Sequence, residues 1–266
     1  MNVAPPEVRA RAFDAFAEEY ERYRPTYPSA LFDAIAARFE LGNAPDALDL
    51  GAGTGKVARV MATRGWRVTA VEPGARMLEI LRRSAGAEGL TVATVEATAE
   101  ATGLPDHAFD LAAAGEAWHW FDAPRVLAEL ARIVRPTGGI AFFWNVVDES
   151  DNALTAAERA LVTRYRIDGG DIRKAGPLPE TRDAVRNAAG YAEPEFVQVP
   201  HSVPMTGAEY LGWARTKSHL RTQPSELQAR YLRDFEHMLA AHGVGPTDQI
   251  QVPFIVDCWM AARSAS

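Results

Sequence analysis

Three stretches of this 266-residue chain carry residue types at spacings that suit chemistry. In the first, a short apolar run (Ala47, Leu48, Leu50) contains Asp49 and passes into Gly51-Ala-Gly-Thr-Gly55, a turn with glycine at every second position. Glycine reaches positive φ and lets backbone N–H groups come close to a ligand. Lys56, Val57, Ala58, Val60 and Met61 then begin a helix whose amino end faces the same place. The D-x-G-x-G-x-G spacing differs from the G-x-G-x-x-G of dinucleotide folds, and Asp49 would repel a diphosphate. The ligand expected of Asp49, Gly51, Gly53, Thr54 and Gly55 is therefore nucleoside-like and positively charged.

The second stretch centres on Glu72, 21 residues after Gly51. Its carboxylate offers two acceptors to the vicinal hydroxyls of a ribose and would repel a ribose phosphate; the plain alternative is a surface glutamate before the turn Pro73-Gly74. Met77, one helical turn on, packs on a purine or belongs to the core. The third stretch, Gly115-Glu-Ala-Trp-His-Trp-Phe121, concentrates aromatic residues around His119. Imidazole has a reference pKa of about 6.5, so His119 is a candidate general base or substrate-orienting group. Its structural alternative is a histidine bonded within its own loop.

These residues need a scaffold, and alternating strand and helix signals between about residue 30 and residue 147 supply one. Strands are expected at Ala47–Leu50, Arg67–Val71, Leu90–Val95, Phe109–Ala114 and Ile140–Trp144. Helices are expected at Leu31–Phe39, Lys56–Arg64, Ala75–Arg83 and Ala123–Val134, the last ended by Arg135-Pro-Thr-Gly-Gly139. Beyond residue 147 the pattern loosens into helical stretches at Leu154–Tyr165 and Thr181–Ala189, separated by Gly169-Gly170 and Gly176-Pro-Leu-Pro179. Strands at Glu195–Val203 and Ile250–Cys258 flank helices at 207–221 and 225–242. Before residue 30, Phe13, Phe16, Tyr20 and Tyr23 recur every three or four residues as an aromatic helix face. The organisation expected is an amino-terminal helical cap over residues 1–30, an α/β core over 31–147, and helical lid segments with the last two strands over 148–266.

Composition narrows the function. A chain with 47% hydrophobic residues builds one large core with an insertion rather than two domains. Twenty-eight Lys and Arg against 35 Asp and Glu leave a net charge of −7, which disfavours nucleic acid or an anionic membrane as partner. The one cysteine, Cys258, suits a reducing compartment. The longest apolar run, Ile140 to Val147, is interrupted by Asn145, so a soluble cytoplasmic protein is expected. No Cys/His cluster is present, and Glu116 stands alone after the fourth strand where a magnesium site would need grouped carboxylates, so no metal is expected.

The glycine motif resembles the first motif of the class I S-adenosylmethionine-dependent methyltransferases. Thr98-Ala-Glu-Ala-Thr-Gly-Leu-Pro-Asp-His-Ala-Phe-Asp110 resembles the segment in which that family holds adenine, with Thr98 where many members have aspartate and Thr102-Gly103 in place of Leu-Pro. The His-Trp pair in 115–121 and Tyr20-x-x-Tyr-Arg-Pro-x-Tyr-Pro28 resemble a small-molecule subgroup of the Methyltransferase-11 type. The resemblance covers residues 11–145. It implies a Rossmann-like sheet of seven mostly parallel strands with helices on both faces and a helical lid. It further implies S-adenosylmethionine as cofactor, held also by Ala99, Glu100, Gly115, Tyr20 and Arg24, the arginine against the methionyl carboxylate. The function implied is methylation of a small organic molecule, most readily on oxygen. A protein of the same fold that binds the donor without methylating, a nucleotide-dependent dehydrogenase and a nucleic-acid methyltransferase are the alternatives weighed. Oligomeric state is not legible.

Overall fold

The computed structural model describes residues 16–150, 152–166 and 176–264. Phe13 of the aromatic stripe and the Gly169-Gly170 breaker lie outside them. Seven strands form one sheet in the order β3-β2-β1-β4-β5-β7-β6. These are β1 (Asp46–Leu50), β2 (Arg67–Val71), β3 (Val92–Val95), β4 (Phe109–Gly115), β5 (Val134–Val147), β6 (Glu195–Thr206) and β7 (Gln249–Ala262). The β1–β2, β1–β4, β2–β3 and β4–β5 pairs are parallel, and β7 runs antiparallel to both of its neighbours. Only β7 therefore opposes the common direction, as the mostly parallel expectation required.

Both faces of the sheet are buried, which explains why its central strands read as nearly continuous apolar runs. Side chains alternate strictly between two cores: Leu111, Ala113, Ala141 and Phe143 join one, while Ala112, Ala114, Ile140, Phe142 and Trp144 join the other. The first core is covered by the helices Ser29–Arg38 and Lys56–Thr63, through Leu31, Phe32, Ile35, Val57 and Met61. Val126, Leu127, Leu130 and Ile133 of the helix Ala123–Ile133 cover the second. A third cluster ties the helices Gly207–Arg215 and Ser225–Ala241 to the far ends of β6 and β7 through Tyr210, Trp213, Tyr231, Phe235, Met205 and Phe254.

Several element boundaries depart from expectation, three of them for a reason visible in the contacts. Arg135-Pro-Thr-Gly-Gly139 is strand: β5 begins at Val134 opposite Phe109, and an irregularity absorbs the extra residues before Leu111 meets Gly139. β7 continues to Ala262 because β5 pairs with it as far as Gly139 opposite Ala262, two residues beyond Met260 where its pairing with β6 ends. The helix expected over 207–221 breaks after Arg215, where the Thr216 hydroxyl donates to Trp213 O at 2.7 Å and Thr216 O accepts from Arg24 at 3.2 Å.

Chain order reverses between β1 and β4, since β2 and β3 lie on one side of β1 and β4 and β5 on the other. In open α/β sheets that reversal opens a crevice beyond the carboxyl ends of the strands. The helix Ala17–Tyr23 spans it. Glu18 pairs with Arg76 and Arg83 at 2.9 and 2.7 Å on the core side, and Glu19 pairs with Arg221 on the carboxy-terminal side. No helix of the described residues is long and apolar enough to cross a membrane.

Candidate active site

The crevice is built from the loop after β1. Gly51 N–H and Ala52 N–H both donate to Val71 O, at 2.8 and 3.0 Å, which fastens the loop to the end of β2. Gly53 N–H donates to Glu72 Oε2 and Gly74 N–H to Glu72 Oε1, both at 2.9 Å. A carboxylate oxygen can accept from a ligand hydroxyl as well as from a backbone N–H. Asp49 Oδ2 accepts from Ala58 N–H at 2.9 Å, in the first turn of the helix Lys56–Thr63.

The two glycines do different work. Gly51 has φ +69°, and a Cβ there would lie 2.7 Å from Ala117 Cβ, so the loop and the turn after β4 touch only because the residue is glycine. Gly53 has φ +54° and a Cβ there would meet nothing within 4 Å. That open space is the crevice itself.

A wide cleft, open to solvent, is walled by Gly51, Gly53, Glu72, Met77, Ala99, Glu100 and Gly115, with Tyr20 reaching in from the amino-terminal helix. Pro73, Thr98, Glu116, Ala117, Trp120 and Phe121 complete its wall. An inner pocket continues beneath Tyr20 and is walled by Asp49, Arg24, Lys56, Tyr27, Asn145 and Trp213 among others. Of the expected site residues, Thr54, Gly55 and His119 belong to neither wall. Thr54 is buried beneath the loop, and Gly55 caps the helix with a left-handed backbone. The exposed His119 sits in the turn Trp118–Trp120, where its Nδ1 accepts from Trp144 Nε1–H at 3.2 Å. Trp118 anchors that turn by stacking on Phe142, ring centroids 4.0 Å apart.

The Thr98–Asp110 connection has a structural reason for its unusual residues. Thr102 N–H and Oγ1 both bond Glu129 Oε1, at 3.0 and 2.5 Å, while Glu100 Oε1 accepts from Asp122 N–H at 3.0 Å. The loop is thereby clamped to the helix Ala123–Ile133 and its cap. Sequence reasoning passed over Glu116, Asn145 and Lys56 as site residues. Asn145 left a trace as the polar break in an apolar run; Glu116 and Lys56 left none that distinguishes them from surface charges. Among carboxy-terminal residues, Trp213 reaches the inner pocket, whereas Tyr210 and Met205 are buried in the carboxy-terminal cluster. Lys217 is committed to Glu158 and Arg221 to Glu19.

Charge in the crevice is mixed. Burial, helped by the nearby Glu72 carboxylate, raises the Asp49 pKa to about 7 against the bond from Ala58 N–H. Burial lowers that of Lys56 despite its pairing with Glu21. Two buried polar atoms of residues on the inner pocket's wall have no partner among the described residues: Asp49 Oδ1 and Arg24 Nε. Such atoms are costly unless a ligand satisfies them. Orphaned polar groups of both signs beside an open glycine loop fit a zwitterionic, cationic nucleoside.

Comparison with known proteins agrees with this geometry. A methyltransferase domain model, Methyltransf_11, matches residues 48–142. An uncharacterised methyltransferase of Mycobacterium tuberculosis is 31% identical over 248 residues, 93% of either chain. Malonyl-[acyl-carrier protein] O-methyltransferase of Enterobacter lignolyticus is 30% identical over 200 residues, 75% of this chain and 74% of its own. Among solved structures, a candidate type II methyltransferase of Anaeromyxobacter dehalogenans superposes with TM-score 0.65 at 27% identity, over 91% of this chain and 98% of that one. The chain belongs to the class I S-adenosylmethionine-dependent methyltransferases. It is an enzyme of that class and uses S-adenosylmethionine.

The raised pKa of Asp49, on the wall of the inner pocket, predicts a pH-dependent affinity for the cofactor. Below pH about 7 the free protein holds a proton on this carboxyl, and a bound cation favours expelling it. Affinity for S-adenosylmethionine is therefore expected to rise with pH up to about 7 and level off above. Calorimetric titration at pH 6 in buffers of different ionisation enthalpy should show net proton release, which Asp49→Asn removes.

Proposed function

We propose that the protein O-methylates a small organic acceptor, and that a carboxylate is the acceptor group the geometry favours. The observation that carries this is the bond from Trp144 Nε1–H to His119 Nδ1. A neutral imidazole accepting at Nδ1 carries its proton on Nε2 and presents a donor there, not a lone pair. A donor suits an oxygen already ionised at neutral pH; a hydroxyl acceptor would require the ring to leave Trp144 before taking a proton. The relative named for O-methylation of malonyl-acyl-carrier protein supports oxygen as the accepting atom.

The cofactor supplies an activated methyl group on sulfur. The chain's own part is alignment and exclusion of water. Glu72 and the Gly51–Gly53 backbone hold the nucleoside end, while Arg24, Lys56 and Asp49 face the amino-acid end. Trp213, Tyr27 and Pro25 wall the inner pocket. We read the described part of the expected cap, residues 16–30, as covering this site and the helices after residue 147 as its lid, with Tyr20 as the link; residues 1–15 of that cap lie outside the described residues. His119, in the turn that also gives the cleft Ala117, Trp120 and Phe121, orients the acceptor oxygen. The net charge of −7 supports a small molecule over a nucleic acid.

The test is release of S-adenosylhomocysteine with a panel of carboxylic, hydroxylated and amine acceptors. Methyl esters from carboxylic acids are expected; transfer confined to amines contradicts the proposal. On the acceptor found, His119→Ala is expected to raise KM roughly tenfold while cofactor affinity stays within about twofold, since one hydrogen bond to a charged group is worth about 1.5 to 3 kcal/mol. A fall in kcat of roughly 10² to 10⁴ with loss of the acidic limb of the pH profile would instead identify a general base.

A further inference from the structure

The wide cleft carries the groups suited to a nucleoside, Glu72, Met77 and Glu100, and the inner pocket those suited to a zwitterionic amino acid, Asp49, Arg24 and Lys56. In S-adenosylmethionine the sulfonium lies between these two ends, so residues belonging to both walls are the ones that meet it. Four described residues do: Tyr20, Gly51, Gly115 and Glu116. Two are glycines, and burial pushes the Tyr20 phenol up to about 12, which leaves it neutral. Glu116 is the one charged side chain among them.

Its position is fixed from several directions. Glu116 N–H donates to Phe143 O at 2.9 Å, and Glu116 Oε1 accepts from Asn145 N–H at 2.8 Å. Asn145 is held in turn, its Nδ2 donating to Thr26 O at 3.3 Å and its Oδ1 lying 2.9 Å from His201 Nε2. The backbone at Glu116 has φ +56°, a left-handed conformation that a glutamate adopts at a cost and that clusters at ligand sites. The field of its carboxylate reaches the hydroxyls of both Tyr20 and Tyr27 at the junction.

We infer that the Glu116 carboxylate faces the sulfonium of the donor and makes the site bind the cationic donor in preference to its neutral demethylated product. This rests on the cofactor the family uses and on the division of the two walls given above. A carboxylate near a cation strengthens binding of the charged form, and the attraction disappears once the methyl group has left and sulfur is a neutral thioether. Glu116 is thus a specificity-determining residue that favours exchange of product for fresh donor.

Calorimetric titration of wild type and Glu116→Gln with S-adenosylmethionine and with S-adenosylhomocysteine tests this without any acceptor. The variant is expected to lose about tenfold in affinity for S-adenosylmethionine and to keep its affinity for S-adenosylhomocysteine within about twofold, the latter also reporting an intact fold. Equal losses for both ligands, or no loss for either, overturn the inference while leaving the cofactor assignment standing. A wild-type protein that binds neither compound overturns both.

Discussion

Gly53→Val is expected to reduce affinity for S-adenosylhomocysteine by more than about a hundredfold while the protein stays folded. The Cβ of a residue at 53 meets no protein atom within 4 Å, so the valine side chain would occupy the crevice and not the core. The backbone there has φ +54°, which a β-branched residue tolerates poorly, at a cost of roughly 1 to 3 kcal/mol. Gly53 N–H also donates to Glu72 Oε2, so distortion of the loop withdraws the support of that carboxylate. Gly53→Ala separates the two effects, because it carries the strain with less bulk. Calorimetry on both variants, with thermal unfolding as the control, checks this; normal binding by Gly53→Val would mean that the ligand lies elsewhere.

Glu72→Ala is expected to weaken the same affinity ten- to a hundredfold, since hydrogen bonds to a charged group contribute about 1.5 to 3 kcal/mol. The loss has two sources. The ribose loses its acceptors, and the N–H groups of Gly53 and Gly74 lose the carboxylate that orders the loop. Glu72→Gln should rescue little, because both oxygens accept backbone N–H groups and an amide offers only one acceptor. A folded Glu72→Ala protein with unchanged affinity would remove Glu72 from the site.

The core of the fold was legible because parallel strands buried on both faces write themselves as apolar runs punctuated by glycine loops, as at Ala47–Leu50 and Arg67–Val71. The carboxy-terminal half was harder. Arg135-Pro-Thr-Gly-Gly139 carries every local signal of a turn, yet pairing with β4 and β7 draws it into a strand. At the break after Arg215, Thr216 O accepts from Arg24, 192 residues away in sequence. No local pattern encodes such a contact.

The candidate site divides the same way. Asp49, Gly51, Gly53 and Glu72 were visible because their work is done by a local turn and by the strand paired next to it. His119 was visible as a residue type, but its bond to Trp144 arises from β5 passing beside the turn after β4. Glu116 and Asn145 were invisible as a pair, since their bond joins residues 29 apart on neighbouring strand ends. Arg24 was singled out for a ligand carboxylate, and it lines the inner pocket while also donating to Thr216 O and lying over the Tyr20 ring.

The central claim, that the loop after β1 and Glu72 form a cleft for S-adenosylmethionine and not for a dinucleotide, is tested most directly by thermal unfolding of the wild-type protein with S-adenosylhomocysteine and, separately, with nicotinamide dinucleotides. At a ligand concentration about 100 times Kd, binding to the native state adds roughly 2.7 kcal/mol and should raise Tm by several degrees. The account predicts that rise with S-adenosylhomocysteine and none with the dinucleotides; stabilisation by a dinucleotide without any by S-adenosylhomocysteine would contradict it.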